Sequence, residues 1–315
     1  MITVTNLSKY YAVPSRKGGK KHLRALDRVS FEIRESETLG IVGESGCGKS
    51  TLGKAMLRLV EPTSGQALYR GKDLTRVPLS ELRALRTDLQ MVFQDPYSSL
   101  NPRLRVGDAL EEVLWVHGAK GKEERVRRTS DLLEMVGLTQ EHARNFPHEF
   151  SGGQRQRIGI ARALAVSPKF LVLDEPVSSL DVSIQAQILS LLTDLKARLS
   201  LTYLFISHDL AVISMLADRV AVMYLGRIVE EGPTHEVFSS PLHPYTQALI
   251  SAIPTLEETK ITRKAKALGE PANPVDLPSG CPYHPRCPLV QERCRSEVPE
   301  LRTHHEHHTV SCHLA

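Results

Sequence analysis

The fold is decided by one stretch, Gly43-Glu44-Ser45-Gly46-Cys47-Gly48-Lys49-Ser50-Thr51. It matches the pattern G-x-x-x-x-G-K-[ST], in which glycines let the backbone curl so that successive N–H groups face phosphate oxygens. The apolar run before it, residues 38–42, predicts a strand. After it, apolar residues recur at helical spacing, at Leu52, Ala55, Met56, Leu59 and Val60. We therefore expect all nine residues to line a nucleotide site, with Lys49 on the β/γ-phosphates and Ser50 on Mg²⁺.

Strand-like and helical patterns alternate over most of the chain. Residues 169–173 and 202–206 are continuous apolar runs typical of buried strands, and a helical stretch separates one from the next. This alternation predicts an α/β fold with a mainly parallel sheet, as in P-loop NTPases. Between about residues 96 and 165 the pattern becomes helical without clear strands, for example at 106–116 and 123–136. We interpret this region as a helical subdomain inserted into the α/β core.

Composition narrows the possible functions. The chain has 315 residues, 41% hydrophobic and 24% charged, with a net charge of only +4, so it gives no case for nucleic acid binding. No run of 18 apolar residues indicates a membrane span, and the first residues lack the signal-peptide pattern, so we expect a cytosolic protein. The basic segment 14–24 reads as a solvated hairpin insertion, with contact to a lipid headgroup or a partner loop as the alternative.

Polar residues at the ends of predicted strands carry the remaining chemistry. Asp174 and Glu175 end the strand at 169–173, and a carboxylate at that end of an α/β sheet points into the ligand crevice. Asp174 suits the Mg²⁺ shell, whereas Glu175 suits the general base that polarises the attacking water. Gln94 follows the apolar run 89–93 and is placed to touch Mg²⁺ or to orient water. His208 follows residues 202–206, where a γ-phosphate contact is needed.

A second glycine-containing run, Ser151-Gly152-Gly153-Gln154, separates this chain from other phosphate-loop proteins. Small residues at a helix start leave backbone N–H groups open to an anion. The chain already has one phosphate loop and no internal duplication, so we expect that anion to be the nucleotide of a second protomer. A kinase or GTPase that uses the phosphate loop alone would leave the run without a purpose.

With these residues in order, residues 1–235 resemble the nucleotide-binding subunit of an ABC transporter. In that resemblance the RecA-like core carries the phosphate loop, Gln94 is the glutamine loop, residues 171–175 are Walker B, and His208 is the switch histidine. The resemblance also implies that Ser151–Gln154 is the signature, that Asp181 closes the D-loop and that Tyr11 stacks on adenine. The one departure is Phe150, where the family usually has leucine. The implied activity is hydrolysis of ATP with Mg²⁺.

The last 80 residues, 236–315, are similar to the extension of di- and oligopeptide importer ATPases. The similarity rests on the run 243–249, HPYTQAL, and on the run 94–103, QDPYSSLNPR. It implies a peripheral subunit on the cytoplasmic membrane face. Its partners would be a second, different ATPase, two transmembrane permease subunits and an extracytoplasmic solute-binding protein. The alternatives are importers of nickel, glutathione or another small solute, and, further away, a non-transport ABC ATPase of DNA repair or translation.

Four of the five cysteines fall in this extension, at Cys281, Cys287, Cys294 and Cys312. A reducing cytosol argues against disulfides there. The spacing contains no C-x2-C knuckle, so an ordinary zinc ribbon is not the best fit, and four thiolates also suit an iron–sulfur cluster. The resemblance to peptide importers implies a [4Fe-4S] cluster; structural zinc and free thiols remain alternatives. Cys47, the fifth cysteine, reads as a small filler in the phosphate loop.

Overall fold

The computed structural model describes residues 1–14, 20–95, 100–253, 273–305 and 307–315. Within these ranges the chain forms two compact units. The first contains Met1–Arg34, Thr38–Val77 and Ile206–Ala315, and the second contains Glu35–Glu37 and Pro78–Phe205. Parts of two segments singled out in the sequence, residues 15–19 of the basic segment and residues 96–99 of the QDPYSSLNPR run, lie outside the described residues.

The first unit contains two sets of strands. Its strands are β1 (Ile2–Pro14), β2 (Lys20–Ile33), β3 (Thr38–Val42), β4 (Ser64–Tyr69), β5 (Lys72–Asp73), β9 (Arg219–Tyr224), β10 (Arg227–Pro233), β11 (Arg302–His305) and β12 (His308–Val310). An antiparallel sheet has the order β2-β1-β4-β5, and the other strands follow the order β11-β12-β10-β9-β3. Among the described strands of this unit, β3 and β9 pair in parallel and the other pairs are antiparallel. Strand β3, which precedes the phosphate loop, therefore belongs to a parallel pair as predicted, and the antiparallel strands are an addition to the predicted α/β fold.

The helices of the first unit are short. They are α1 (Lys49–Met56), α7 (Leu210–Leu216), α8 (Thr234–Ser239), α9 (Pro244–Ser251) and α10 (Glu292–Ser296), with a 3₁₀ turn at His284–Arg286. In α1 the predicted apolar face is buried at Leu52, Ala55 and Met56, but the helix ends there. Leu59, which the periodicity placed on the same face, is 43% exposed. The two ends of the basic segment belong to the antiparallel, paired strands β1 and β2, in agreement with the predicted hairpin insertion.

The second unit joins buried strands to a set of helices. Its elements are α2 (Leu79–Leu85), β6 (Leu89–Val92), α3 (Val106–Val116), α4 (Lys122–Met135), 3₁₀ turns at Gln140–Arg144 and Pro147–Glu149, α5 (Gly152–Leu164), β7 (Phe170–Asp174), α6 (Val182–Leu199) and β8 (Thr202–Ile206). Strands β6 and β7 are parallel, and every residue of β7 and β8 is buried. The buried, parallel strands predicted for this half are confirmed.

The described part of the region predicted to be helical consists of helices and the turns that join them. Residues 100–165 contain α3, α4 and α5 and no strand. Helix α3 has the predicted bounds because Val106, Leu110 and Leu114 recur every four residues and are all buried. Among the described residues no helix combines the length and apolar character needed to cross a membrane.

Candidate nucleotide-binding site

The phosphate loop lies between β3 and α1 and leaves the start of that helix open. Gly48 is the N-cap residue of α1 and makes no side-chain cap; its φ of 109° is one that L side chains rarely adopt. A Cβ at this position would lie 2.1 Å from the carbonyl oxygen of Ala25. The uncapped N–H groups at a helix start are a ready anion site. The backbone around Gly48 therefore has the form that a phosphate requires.

Lys49 is folded back onto its own loop. Its Nζ donates hydrogen bonds to the carbonyl oxygens of Gly43, at 2.8 Å, and Glu44, at 3.0 Å. The residue is only 4% exposed. A buried ammonium needs acceptors on every side that it does not turn to water. These carbonyls hold the positive charge inside the curl of the loop, where phosphate oxygens would supply stronger acceptors.

Three contacts from distant parts of the first unit hold the loop in shape. The N–H of Gly226, in the turn between β9 and β10, donates to the carbonyl of Cys47 at 2.8 Å. The N–H of Glu44 donates to the hydroxyl of Tyr245 at 2.9 Å. The guanidinium of Arg286 donates to both carboxylate oxygens of Glu44, at 2.7 and 2.9 Å. Burial raises the pKa of the Cys47 thiol, as expected for a side chain that fills space.

Two other predicted ligands lie in the first unit. Tyr11 is on β1, 37% exposed, with the Nζ of Lys9 4.9 Å from its ring centroid. An exposed ring beside a cation is free to stack on a flat base. His208 follows the buried end of β8 and is itself exposed. The carboxylate of Asp209 caps α7 by accepting from the N–H of Ala211 at 2.8 Å, so the chain turns at a defined point just after His208.

The predicted catalytic carboxylate lies in the second unit with its predicted glutamine. Asp174 is the last, buried residue of β7, and Glu175 follows it with a positive φ of 48°. The side-chain amide of Gln94 donates to Oε2 of Glu175 at 2.9 Å. The hydroxyl of Ser178 donates to the Glu175 carbonyl at 3.1 Å. Residues 81 positions apart in sequence are thus brought into direct contact at one carboxylate.

The Ser-Gly-Gly-Gln run starts α5, also in the second unit. Ser151 is the N-cap residue; its hydroxyl accepts from the N–H of Gln154 at 3.3 Å. In return, the amide oxygen of Gln154 accepts from the N–H of Ser151 at 3.0 Å, which completes a capping box. Ser151 and Gly152 are exposed. Asp181 is the N-cap residue of the next helix in sequence, α6, makes no side-chain cap hydrogen bond there, and is exposed as well.

The four cysteines of the extension lie close to one another in the first unit. The N–H of Cys281 donates to the carbonyl of Cys294 at 2.8 Å. Burial, and then the nearby thiols of Cys294, Cys312 and Cys287, raise the pKa of Cys281 to about 11. Burial also raises the pKa of Cys287 and of Cys312. Across the described ranges, however, no three His, Cys, Asp or Glu side chains are arranged to hold a metal ion.

The cysteines therefore meet one condition for a metal site and miss another. Four neighbouring thiols in a partly buried segment are chemically suitable donors for zinc or an iron–sulfur cluster. The raised pKa values of Cys281, Cys287 and Cys312 describe neutral thiols, whereas a bound metal requires thiolates. The segment gathers the donors without closing them into a set of ligands in this conformation.

Some residues that shape the site escape sequence reasoning. Arg286 and Glu44 are 242 positions apart, and only the pairing itself gives Arg286 a role. Tyr245 lies in the HPYTQAL run, which indicated family resemblance but no contact. The rings of Tyr224, Tyr245 and Tyr283 cluster with centroids 4.6 to 5.4 Å apart, and this cluster adjoins Arg286. Only two of the eight tyrosines of the chain lie in the extension, so composition offered no signal for this cluster.

Comparisons with known proteins agree with this site. Residues 26–178 match the ABC transporter family, and residues 229–294 match the family described as the oligopeptide/dipeptide transporter C-terminal region. The chain is 50% identical to the di/tripeptide transport ATP-binding protein DppF of Pseudomonas aeruginosa (strain UCBPP-PA14), over all of this chain and 98% of the relative. It is 46% identical to the oligopeptide transport ATP-binding protein AppF of Bacillus subtilis (strain 168), over 100% of this chain and 97% of that relative.

A solved structure supports the same conclusion. The ATP-binding cassette MJ0796, solved as a dimer in a post-hydrolysis state with ADP and Pi, superimposes with a TM-score of 0.67 at 32% identity. The match covers 74% of this chain and 99% of the cassette. The full-length identity, the two matching families and the shared cassette fold lead to one conclusion. The chain belongs to the oligopeptide/dipeptide family of ABC transporter ATP-binding proteins.

Proposed function

We propose that this protein hydrolyses ATP to drive uptake of di- or oligopeptides through a membrane permease. The loop from Gly43 to Thr51 binds the phosphates, Lys49 contacts the β/γ-phosphates, and Ser50 and Asp174 hold Mg²⁺ with the help of Gln94. Glu175 is the general base, His208 contacts the γ-phosphate, and Tyr11 stacks on adenine. Residues 1–235 form the ATPase domain in this proposal, and residues 236–315 form the extension.

One observation carries the hydrolytic role: Gln94 holds the Glu175 carboxylate by a 2.9 Å hydrogen bond immediately after the buried Asp174. A general base must be fixed in orientation before it can take a proton from water. An amide donor fixes a carboxylate oxygen without neutralising it, so the charge needed to polarise water is kept.

The test is a Glu175→Gln variant in the purified transport complex. The amide keeps the shape of the side chain but cannot act as a base. We expect ATP hydrolysis to fall by at least about a hundredfold, in line with removal of a general base, while ATP binding is retained. The measurements are phosphate release and binding of radiolabelled ATP.

Glu61→Gln is the matched control because its carboxylate is 65% exposed and pairs with the neighbouring Arg58. We expect this variant to hydrolyse ATP at the normal rate. Normal hydrolysis and transport by Glu175→Gln would remove the role assigned to Glu175.

We further propose that the working assembly contains a second, different ATPase subunit. The chain has one phosphate loop, so the Ser151–Gln154 run, which is exposed at Ser151 and Gly152, has no second nucleotide of its own to contact. In the proposed heterodimer each subunit places this run against its partner's ATP. Two permease subunits and an extracytoplasmic solute-binding protein complete the system, with this chain peripheral on the cytoplasmic membrane face.

Affinity purification from detergent-solubilised membranes tests this assembly. Co-purification of polytopic membrane subunits and a second ATPase supports it. Recovery of ribosomes or DNA instead would favour the non-transport ABC class.

The peptide substrate rests on the C-terminal match and on the names of the two relatives. Uptake of a labelled dipeptide, a labelled tripeptide, Ni²⁺ and labelled glutathione into proteoliposomes separates the candidates. We expect ATP-dependent accumulation of a peptide. Accumulation of Ni²⁺ or glutathione alone would move the protein to a related importer.

We also propose that Cys281, Cys287, Cys294 and Cys312 hold a [4Fe-4S] cluster, with structural zinc as the alternative. Four neighbouring thiols in one segment support the proposal, and neutral thiols would have to ionise on binding. Anaerobic purification followed by absorbance, iron and acid-labile sulfide analysis distinguishes the two. A colourless protein with one zinc per chain would replace the cluster by zinc.

A further inference from the structure

Arg286 belongs to the extension, but its buried, charged side chain contacts the phosphate loop. It lies in the segment between Cys281 and Cys287, and its side chain is 5% exposed. Both terminal nitrogens donate to Glu44, the second residue of the phosphate loop, at 2.7 and 2.9 Å. A planar guanidinium that meets both oxygens of a carboxylate fixes orientation as well as distance.

The surroundings hold Arg286 in one place. One terminal nitrogen also lies 3.3 Å from the hydroxyl of Tyr224, and its guanidinium carbon lies 5.7 Å from the ring centroids of both Tyr224 and Tyr283. Cations over aromatic faces gain most when they are removed from water. The rings of Tyr224 and Tyr283 therefore position the guanidinium, which donates two hydrogen bonds to the carboxylate of Glu44.

Glu44 relays this contact to the lysine of the site. Its carbonyl accepts from Lys49 Nζ at 3.0 Å, its N–H donates to Tyr245, and its carboxylate is held by Arg286. Every polar group of Glu44 is thus engaged, and the partners of its N–H and its carboxylate, Tyr245 and Arg286, come from the C-terminal part of the chain. If Arg286 were displaced, Glu44 would lose the contact that fixes its carboxylate, and the carbonyl that accepts from Lys49 could move.

We infer that Arg286 is a positioning residue for ATP binding and that the cysteine-bearing segment is a structural part of the nucleotide site. The inference rests on the proposed ATP-binding role of the phosphate loop. Buried ion pairs contribute little net stability compared with apolar contacts of the same volume. We therefore assign the Arg286–Glu44 pair to fixing the geometry of the phosphate loop rather than to stabilising the fold of the extension.

The experiment is a double-mutant cycle on the full-length chain. Arg286→Gln, Glu44→Gln and the double variant are compared with the unchanged protein for the Kd of MgATP by titration calorimetry. We expect each single change to raise the Kd by about tenfold, within the usual range of coupling between sites. The double variant should bind no more weakly than the weaker single variant, because both remove the same pair.

Two further variants separate positioning from general stability. Arg286→Lys keeps the charge but not the paired geometry, so it should recover only part of the affinity. Arg293→Gln removes a similar pair, 2.7 Å to Glu297, from the exposed surface of the same extension and should leave the Kd unchanged. Melting temperatures without nucleotide identify any variant whose loss of affinity only follows loss of folding.

The outcomes are distinct. If the unchanged protein does not bind ATP, the proposed function fails. If it binds ATP and Arg286→Gln binds equally well, or if the two single effects add in the double variant, the positioning role is overturned. Should Arg286→Gln not fold, Glu44→Gln carries the same prediction, because it leaves the extension unaltered.

Discussion

Two helices in this protein begin at glycine-containing runs that we assign to ATP, and they begin in opposite ways. Helix α1 starts at Gly48 with no side-chain cap, and the adjacent Lys49 donates to carbonyls of its own loop. Helix α5 starts at Ser151 with a closed capping box, in which Ser151 and Gln154 satisfy each other. The first helix start is held open by its surroundings, whereas the second is closed by its own side chains.

This difference indicates how readily each helix start would bind an anion. An open helix start, fixed by contacts from far along the chain, is ready for an anion without rearrangement. A capped start must exchange an internal hydrogen bond for one to the ligand, so its net gain on binding is smaller. This suits a first, tight contact at the phosphate loop and a later, reversible contact of Ser151 with a partner's nucleotide.

The largest effect is expected from Gly48→Ala, which adds a methyl group at the uncapped start of α1. The methyl group would lie 2.1 Å from a backbone carbonyl, and the residue would have to keep a φ of 109°. The loop cannot move aside without losing its shape. We expect ATP affinity, measured by calorimetry, to fall by at least about a hundredfold, since strain of this kind and a lost phosphate contact each cost on the order of 1–3 kcal/mol.

Gly71→Ala is the matched control for that change. Gly71 has a φ of 82°, but a Cβ there meets nothing within 4 Å. It should lower stability by about 1 kcal/mol and leave ATP binding unchanged. Equal loss of ATP binding in both variants would mean that the open start of α1 has no special role.

Ser151→Ala addresses the closed start. Removal of the cap should lower the free energy of unfolding by about 1 kcal/mol. ATP binding by the isolated chain should not change, but hydrolysis by the assembled complex should fall about tenfold to a hundredfold, because a hydrogen bond to a charged phosphate is lost. Calorimetry on the chain and phosphate release by the complex measure the two effects.

The control for Ser151 is Thr139→Ala, which removes a hydroxyl that lies 2.9 Å from Nδ1 of His142 at the start of another helical turn in the same unit, the 3₁₀ turn that begins with Gln140. It should lose stability without loss of hydrolysis. Weak ATP binding by the isolated Ser151→Ala chain would show instead that the run contacts its own nucleotide.

A third helix start, at His243, extends the comparison to pH. Its Nδ1 accepts from the N–H of Tyr245 at 3.0 Å, and burial lowers its pKa to about 3. The unfolded chain takes up a proton near pH 6.5, while the folded chain does not until about pH 3, so stability falls as the pH drops through that window. Between pH 7 and 5.5 we expect a loss of about 1 kcal/mol in urea unfolding, absent in His243→Asn.

Sequence alone predicted the parts of the site that local pattern determines. The phosphate loop, α3 and β8 follow from glycine spacing and apolar periodicity within a few residues, and the structure has them as predicted. The contact between Gln94 and Glu175 was within reach because both end predicted strands. Where a motif coincides with a local structural pattern, interactions between residues close in sequence are enough to predict the structure.

The antiparallel sheet and the contact of Arg286 with Glu44 could not be predicted from the sequence, for a physical reason. Strand β1 is interrupted by several register shifts against β2, so it lacks the regular alternation that predicts a half-buried strand. Arg286 and Glu44 are 242 residues apart, and neither lies in a periodic pattern that points to the other. Both features depend on how distant segments pack, which no local propensity records.

Tyr245→Phe gives the smallest expected effect and tests whether the open start of α1 depends on that long-range packing. The change removes only the hydroxyl that accepts from Glu44 N–H. The loss of one neutral hydrogen bond is about 1 kcal/mol, so the Kd for MgATP should rise about fivefold. Tyr203→Phe, which removes a buried hydroxyl bonded to Leu192 in the second unit, should leave the Kd unchanged. If Tyr245→Phe binds ATP as well as the unchanged protein or better, the loop is held open by its glycines alone, and the extension is not needed for that purpose.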